Sequence, residues 1–212
     1  MKIVARTSLA LAAGALFFAS GVQAQVGANQ GLLNPNLATA DELAGVPGLY
    51  TDVVRAIMDQ RPFMKMADLH RIIGSHLAED EFDAAYGAMW IPIDLNDATD
   101  AEIQLIPGVG ARMLHEFREY APYPALVKFD REIAKYVDDD ELARLTQYVY
   151  VRIDLNTASE SAMLSIPGVG DRMKHEFEEY RPYSAMAQFK REMAKYVDDD
   201  EVERLSRYVE IR

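Results

Sequence analysis

The sequence contains no cysteine among its 212 residues, and its basic side chains are fewer than its acidic ones. The absence of cysteine excludes a disulfide-stapled fold and a thiolate metal site. With 22 Lys and Arg against 34 Asp and Glu, the net charge is −12 at pH 7, which argues against a cationic protein that binds nucleic acid by charge alone. Half of the residues are hydrophobic, as expected for a chain that folds.

Long hydrophobic runs are also lacking, except at the N-terminus. Residues 1–24 combine basic Lys2 and Arg6, an apolar stretch and a small-residue ending at Ala24, which is the layout of a cleaved secretory signal peptide. The stretch is shorter than the roughly 20 residues that a membrane-spanning helix needs. We therefore expect a periplasmic or secreted protein that begins near Gln25, has no membrane span after cleavage and has a net charge of −14, because two bases are removed.

Three motifs recur along the chain at an offset of 60 residues. They are Asp-Leu-Asn at 94–96 and 154–156, Ile-Pro-Gly-Val-Gly at 106–110 and 166–170, and Val-Asp-Asp-Asp-Glu at 137–141 and 197–201. Residues 93–152 and 153–212 are identical at 36 of 60 positions, and a more diverged copy precedes them. The sequence thus predicts a short linker at 25–32 and three tandem repeats, named repeat 1 (33–92), repeat 2 (93–152) and repeat 3 (153–212).

The residue pattern within each repeat predicts four short helices. Thr99 and Glu102 have the spacing of a capping box at a helix start, whereas in repeat 3 Ser159 keeps the cap position and Ala162 replaces the acid. The first helix leads into the glycine-rich turn, and apolar residues recur at helical spacing beyond it. No segment indicates an extensive sheet. We expect an all-α fold of three tandem double helix-hairpin-helix-like modules of about 60 residues each.

The order of motifs in each repeat resembles the double helix-hairpin-helix module of the ComEA family. Members of that family are secreted or membrane-tethered bacterial proteins that hold double-stranded DNA during its uptake. The resemblance implies that backbone N–H groups of the Gly-hydrophobic-Gly hairpin contact DNA phosphates, and a helix N-terminus is physically suited to bind an anion. Carried over to this sequence, with the arginines that follow, the predicted phosphate-binding residues are Gly108, Val109, Gly110, Arg112, Gly168, Val169, Gly170 and Arg172.

The chain departs from this family pattern in its acidic residues. Tyr-Val-Asp-Asp-Asp at 136–140 and 196–200 stands where the family has a second glycine hairpin. In repeat 1, Tyr50 replaces the second glycine of the first hairpin, which predicts a damaged hairpin. The three repeats carry net charges of −5, −5 and −4, so each of them would repel a polyanion.

A different ligand is therefore also compatible with the sequence. An extrinsic lumenal subunit of photosystem II is similar in having the double hairpin module, and it docks onto protein without nucleic acid. Two functions stay open: a receptor for the backbone of double-stranded DNA, which we place first because the hairpin glycines persist in repeats 2 and 3, and an acidic docking protein that binds a periplasmic protein partner.

The remaining polar and aromatic patterns favour structural roles. The Val-Asp-Asp-Asp-Glu motifs lack the alternating spacing of a calcium loop, and His115 with Glu119 supplies only two metal ligands. The tyrosine pairs 120/123 and 180/183, like Trp90, are expected to pack in the core rather than to stack on bases. No set of nucleophile, base and orienting group is present, so we expect no enzymatic activity, no cofactor and no metal.

Overall fold

The computed structural model describes residues 31–212, and the predicted signal peptide, with most of the predicted linker, lies outside the described residues. Within the described part the chain is all-α, as predicted, with twelve α-helices and four strands of two residues each. No helix in residues 31–212 is long and apolar enough to cross a bilayer.

Repeats 2 and 3 contain the same helices and strands in the same order, and the bounds of corresponding elements differ by 60 residues throughout. Repeat 1 contains α1 (Ala40–Ala44), α2 (Thr51–Asp59), α3 (Met66–Ile73), a 3-10 helix (Glu79–Glu81) and α4 (Phe82–Tyr86). Repeat 2 contains β1 (Ile93–Asp94), α5 (Asp100–Gln104), α6 (Ala111–Glu119), α7 (Leu126–Ile133), α8 (Asp139–Thr146) and β2 (Val149–Tyr150). Repeat 3 contains β3 (Ile153–Asp154), α9 (Glu160–Leu164), α10 (Asp171–Glu179), α11 (Met186–Met193), α12 (Asp199–Ser206) and β4 (Val209–Glu210).

The short strands close each repeat on itself. β1 pairs with β2 and β3 pairs with β4, in both cases in parallel, so the first and last segments of a repeat lie side by side. In repeat 1 a single parallel bridge joins Leu33 to Met89 in the same way. Four short helices are thereby enclosed between two ends that are hydrogen-bonded to each other.

The first helix of each repeat begins with a side-chain cap. The Thr99 hydroxyl accepts a hydrogen bond from the Glu102 N–H (3.2 Å), and the Glu102 carboxylate accepts one from the Thr99 N–H (3.1 Å). This reciprocal pair confirms the predicted capping box. In repeat 3 the Ser159 hydroxyl accepts from the Ala162 N–H (3.2 Å), and no acid at position 162 returns the bond.

The aromatic side chains that the sequence places in the core lie in it or against it. Trp90, Tyr123 and Tyr183 are buried, whereas Tyr120 and Tyr180 are half-buried and pack against the core. The hydroxyls of Tyr123 and Tyr183 donate to the carbonyls of Phe117 (2.8 Å) and Phe177 (3.1 Å), which satisfies the polar end of each ring inside the repeat. The buried rings are therefore closed off from stacking on bases.

One asparagine in each repeat ties the start of the repeat to the loop between its second and third helices. The Asn96 Nδ2 donates to the Tyr123 carbonyl (2.9 Å), and the Tyr123 N–H donates to the Asn96 Oδ1 (2.7 Å). The same two bonds join the corresponding pairs, Asn36 with Phe63 and Asn156 with Tyr183. A side-chain amide has one acceptor and two donors, so it can pair with both polar groups of a residue's main chain, as a neighbouring strand would.

An arginine side chain in each repeat donates a further hydrogen bond to the segment before the first helix. Arg61 and Arg181 each donate to a main-chain carbonyl of the segment before the first helix, at 2.7 Å and 2.8 Å. Repeat 2 has Ala121 at this position, and Arg118, three residues earlier, donates to the corresponding Ala98 carbonyl instead. The contact is kept although the residue that makes it has changed.

Aromatic residues at the end of one repeat insert into the next. The Trp90 indole N–H donates to the Tyr148 carbonyl (2.8 Å), and the Tyr150 hydroxyl donates to the Arg207 carbonyl (3.0 Å). The Arg207 guanidinium in turn donates to the carbonyl of Pro92 (2.9 Å), the last residue of repeat 1. Hydrogen-bonded aromatic rings and a buried arginine therefore join the repeats.

We predict that Asn96→Ala lowers the free energy of unfolding by about 2–4 kcal/mol, because it leaves the N–H and the carbonyl of Tyr123 without their partner. Asn96→Asp, which keeps an acceptor but loses the donor, should fall between Asn96→Ala and the wild type. Urea unfolding followed by circular dichroism measures this, with Gln104→Ala, an exposed amide on α5, as the control. Equal stability of Asn96→Ala and the control would contradict the role of the asparagine.

Candidate anion-binding hairpins

The predicted phosphate-binding residues form tight turns between the first two helices of each repeat. We name these turns hairpin 1 (residues 46–50), hairpin 2 (106–110) and hairpin 3 (166–170). In hairpin 2 the Val109 N–H donates to the Ile106 carbonyl (3.0 Å), and both side chains are buried. Gly108 has a φ of +79° and Gly168 one of +81°, in the left-handed region that favours glycine. The buried apolar side chains anchor each turn, and its glycines remain at the surface.

The second helix leaves its first N–H groups free. Gly110 is the N-cap of α6 and provides no side-chain cap, and the first bond at this end runs from the Leu114 N–H to the Gly110 carbonyl (3.0 Å). Within the described part of the chain, the N–H groups of Ala111, Arg112 and Met113 have no hydrogen-bond partner. Gly170 and α10 have the same geometry. Free N–H groups together with the helix dipole favour a bound anion.

The space in front of hairpin 2 is open. A Cβ atom built on Gly110 would meet no atom within 4 Å, and the same holds for Gly170. Arg112 is exposed and forms no ion pair with any described residue, and Arg172 has the same setting on α10. Because α6 has no acid in its first turn, hairpin 2 combines free N–H groups with an uncompensated positive charge.

An arginine of the fourth helix supports hairpin 3 from behind. The Arg204 Nη1 donates to the Pro167 carbonyl (2.7 Å), and its other nitrogens pair with the Glu201 carboxylate at 2.6 Å each. Arg204 is only 2% exposed, so it stiffens the turn and cannot reach a ligand. Arg144 pairs with Glu141 in the same way beside hairpin 2. Sequence reasoning missed both pairs, although the Glu-x-x-Arg spacing at 141–144 and 201–204 was a signal for them.

The acidic motifs cap the start of the fourth helix in repeats 2 and 3. Asp138 is the N-cap of α8, and its Oδ1 accepts from the Glu141 N–H (2.9 Å). Asp198 caps α12 with an identical bond to Glu201. Since the chain's own carboxylates occupy these helix starts, an external anion would meet negative charge there.

Hairpin 1 keeps its backbone although Tyr50 replaces the glycine. Tyr50 has φ −80° and ψ 168°, and Gly110 has φ −90° and ψ −176°, so both are extended and any residue fits. The replacement therefore leaves the main chain at this position as it is in hairpin 2. What differs is that an exposed ring stands in front of the turn and that Asp52 takes the place of Arg112.

Hairpin 3 differs from hairpin 2 in its charges. Asp171 replaces Ala111 in the first turn of the helix. Lys174 adds a base, but its Nζ lies 2.8 Å from the Glu160 carboxylate and 3.8 Å from that of Glu178. The hydrogen bond with Glu160 raises the pKa of Lys174 and lowers the pKa of Glu160, so the charge of this lysine is already compensated.

The side chains considered as metal ligands do not form a larger cluster. His115 lies 3.6 Å from Glu119, and His175 lies 3.8 Å from Glu179. Across residues 31–212 no three His, Asp or Glu side chains come together in a way that could hold a metal ion.

No protein-family model, no curated protein and no solved structure matches the chain. The resemblance to the ComEA family therefore depends on the residues quoted above.

We predict that the two glycines of hairpin 2 respond differently to alanine. Gly108→Ala should lower the free energy of unfolding by about 1–2 kcal/mol, because its left-handed backbone is strained by a Cβ atom. Gly110→Ala should change it by less than about 0.5 kcal/mol, because the backbone is extended and the space is open. Thermal unfolding of the two variants measures the difference. If both variants were equally stable, the turn would not need its left-handed residue.

Proposed function

We propose that this protein binds the backbone of double-stranded DNA without sequence preference, through its glycine hairpins. The observation that supports this most directly is hairpin 2, where three unpaired N–H groups at the start of a nine-residue helix lie beside the free Arg112. Main-chain donors bind a phosphate regardless of the base attached to it, so the contact carries no sequence information. Hairpin 3, with Arg172, would be the second contact.

The acidity of the chain sets the strength of this binding. Arg112 and Arg172 are the bases placed beside the hairpins, whereas the whole chain carries a net charge of −12. Each phosphate neutralised by a base releases about one counterion, so few bases mean a weak salt dependence and a low affinity. We propose that the protein works as a non-enzymatic receptor outside the cytoplasm, where the predicted signal peptide would direct it.

We also propose a second candidate function, docking onto a protein partner, because of one specific observation. Asp138 and Asp198 close the helix starts where a double hairpin module would have its second phosphate contact. Exposed Asp139 and Asp140 beside the first of these caps would favour a partner with basic side chains.

A titration of the protein with a fluorescein-labelled DNA duplex, followed by anisotropy at low and at physiological salt, tests the first proposal. We expect a complex at low salt, whose binding constant falls with salt with a log–log slope of about −1 to −2, since one or two bases contact phosphate. Absence of a complex even at low salt would refute DNA binding and leave the docking function.

The matched variant is Gly110→Tyr/Arg112→Asp, which installs at these two positions the residues that repeat 1 has there, Tyr50 and Asp52. The backbone of Tyr50 shows that this fold accepts tyrosine at the position. We expect DNA affinity to fall about tenfold or more, the value of one lost hydrogen bond to a charged group. Gln104→Ala, an exposed position on α5 outside the hairpin, is the control and should bind as the wild type does. Unchanged binding by the double variant would place the contact elsewhere on the chain.

A further inference from the structure

Leu37 of repeat 1 lies against hairpin 3 of repeat 3. A Cβ atom built on Gly168 would be 3.0 Å from Arg204 Nη2, 3.2 Å from Leu37 Cδ1 and 3.5 Å from Leu37 Cδ2. The same construction on Gly108 meets only the Arg144 guanidinium, at 3.4 Å, among the described residues. Hairpins 2 and 3 have identical sequences, and each of these glycines faces the arginine of its own fourth helix, so the contact with Leu37 is what distinguishes Gly168 from Gly108.

The backbone around Leu37 holds this side chain in place. The Leu37 N–H donates to the Asn34 carbonyl (2.9 Å), and the preceding residue is Asn36, which is bonded twice to the main chain of Phe63. Leu37 is nevertheless 44% exposed, so it is not part of the core of repeat 1. A half-exposed leucine fixed on a turn, with its methyl groups against another repeat, forms a contact between repeats.

The corresponding positions of the other repeats are polar and have local partners. Asp97 forms an ion pair with Arg152. The Thr157 hydroxyl donates to the Asp154 carboxylate (2.8 Å). Only in repeat 1 does an apolar side chain stand at this position, so the contact with hairpin 3 does not follow from the common structure of the repeats.

We infer that Leu37 makes hairpin 2 the preferred phosphate site, by partly covering the Gly168 end of hairpin 3, whereas the Gly170 end stays open as in hairpin 2. This inference rests on the proposed DNA-binding function. A phosphate placed at the Gly168 end of hairpin 3 would face the methyl groups of Leu37 where it needs water or a free donor, which disfavours a charged group. The neighbouring Arg204 guanidinium is buried and already paired with Glu201. Asp171 adds repulsion on the other side of the turn. Hairpin 2 has neither obstacle.

The contact itself is tested by nuclear Overhauser effects in the free protein, without DNA. We expect cross-peaks between the Leu37 methyl protons and the Gly168 Hα protons, and their loss in Leu37→Thr, which installs the residue that repeat 3 has at this position. Absence of these cross-peaks in the wild type would refute the cover.

The effect on binding is tested in the Gly110→Tyr/Arg112→Asp background, where hairpin 2 is disabled. Two variants are compared in this background by DNA anisotropy at low salt. Asp171→Ala removes the acid, keeps Leu37 and gives residues 166–172 the sequence of residues 106–112. Leu37→Thr/Asp171→Ala removes both the acid and the leucine. We expect the second to bind about tenfold more tightly than the first, the gain from one hydrogen bond to a charged group.

The outcomes separate this inference from the proposed function. If wild-type protein binds DNA but the two variants bind equally, the selection by Leu37 is refuted and DNA binding by hairpin 2 stands. If wild-type protein does not bind DNA, the proposed function is refuted together with the selection, and the cross-peaks still decide whether Leu37 contacts hairpin 3. Circular dichroism of each variant checks that it folds.

Discussion

The asparagine at the start of each repeat provides the interaction on which the rest of the repeat depends. Its side-chain amide forms two hydrogen bonds with the main chain of one residue 27 positions later, and thus holds the loop after the second helix against the segment before the first. The hairpin lies between these two points in the chain, so its position follows from them. Short helices of five to nine residues are only marginally stable alone, and these fixed ends keep them packed together.

Acidic side chains cap some helix starts and leave the first N–H groups of other helices without a partner. The fourth helices of repeats 2 and 3 begin with aspartate caps, whereas the second helices begin with glycine and leave their N–H groups unpaired. The same dipole that stabilises the internal carboxylates would attract an external anion where no carboxylate is present. The net charge of −12 therefore does not describe the start of α6, where the first turn has no acid and Arg112 forms no ion pair with any described residue.

Much of this arrangement could be predicted from the sequence, because it depends on neighbours within a few residues. The capping box of Thr99 and the glycine turn are local patterns, and the structure contains both. The sequence also shows that Tyr50 replaces a glycine of hairpin 1, but a glycine does not reveal whether its φ is positive. Tyr50 fits because that backbone is extended, and only the folded structure shows this. The hydrogen bond from Arg204 to the Pro167 carbonyl of hairpin 3 was missed because it joins segments 37 residues apart.

The sequence by itself determined the all-α class, the helix starts and stops and the spacing at which they recur, because caps, turns and apolar periodicity act over one or two helical turns. The tertiary structure decided how two hairpins of identical sequence differ in their surroundings. The reason is physical: Leu37 and Gly168 are far apart along the chain, and only the packing of repeat 1 against repeat 3 brings an aliphatic side chain onto the Gly168 end of one turn.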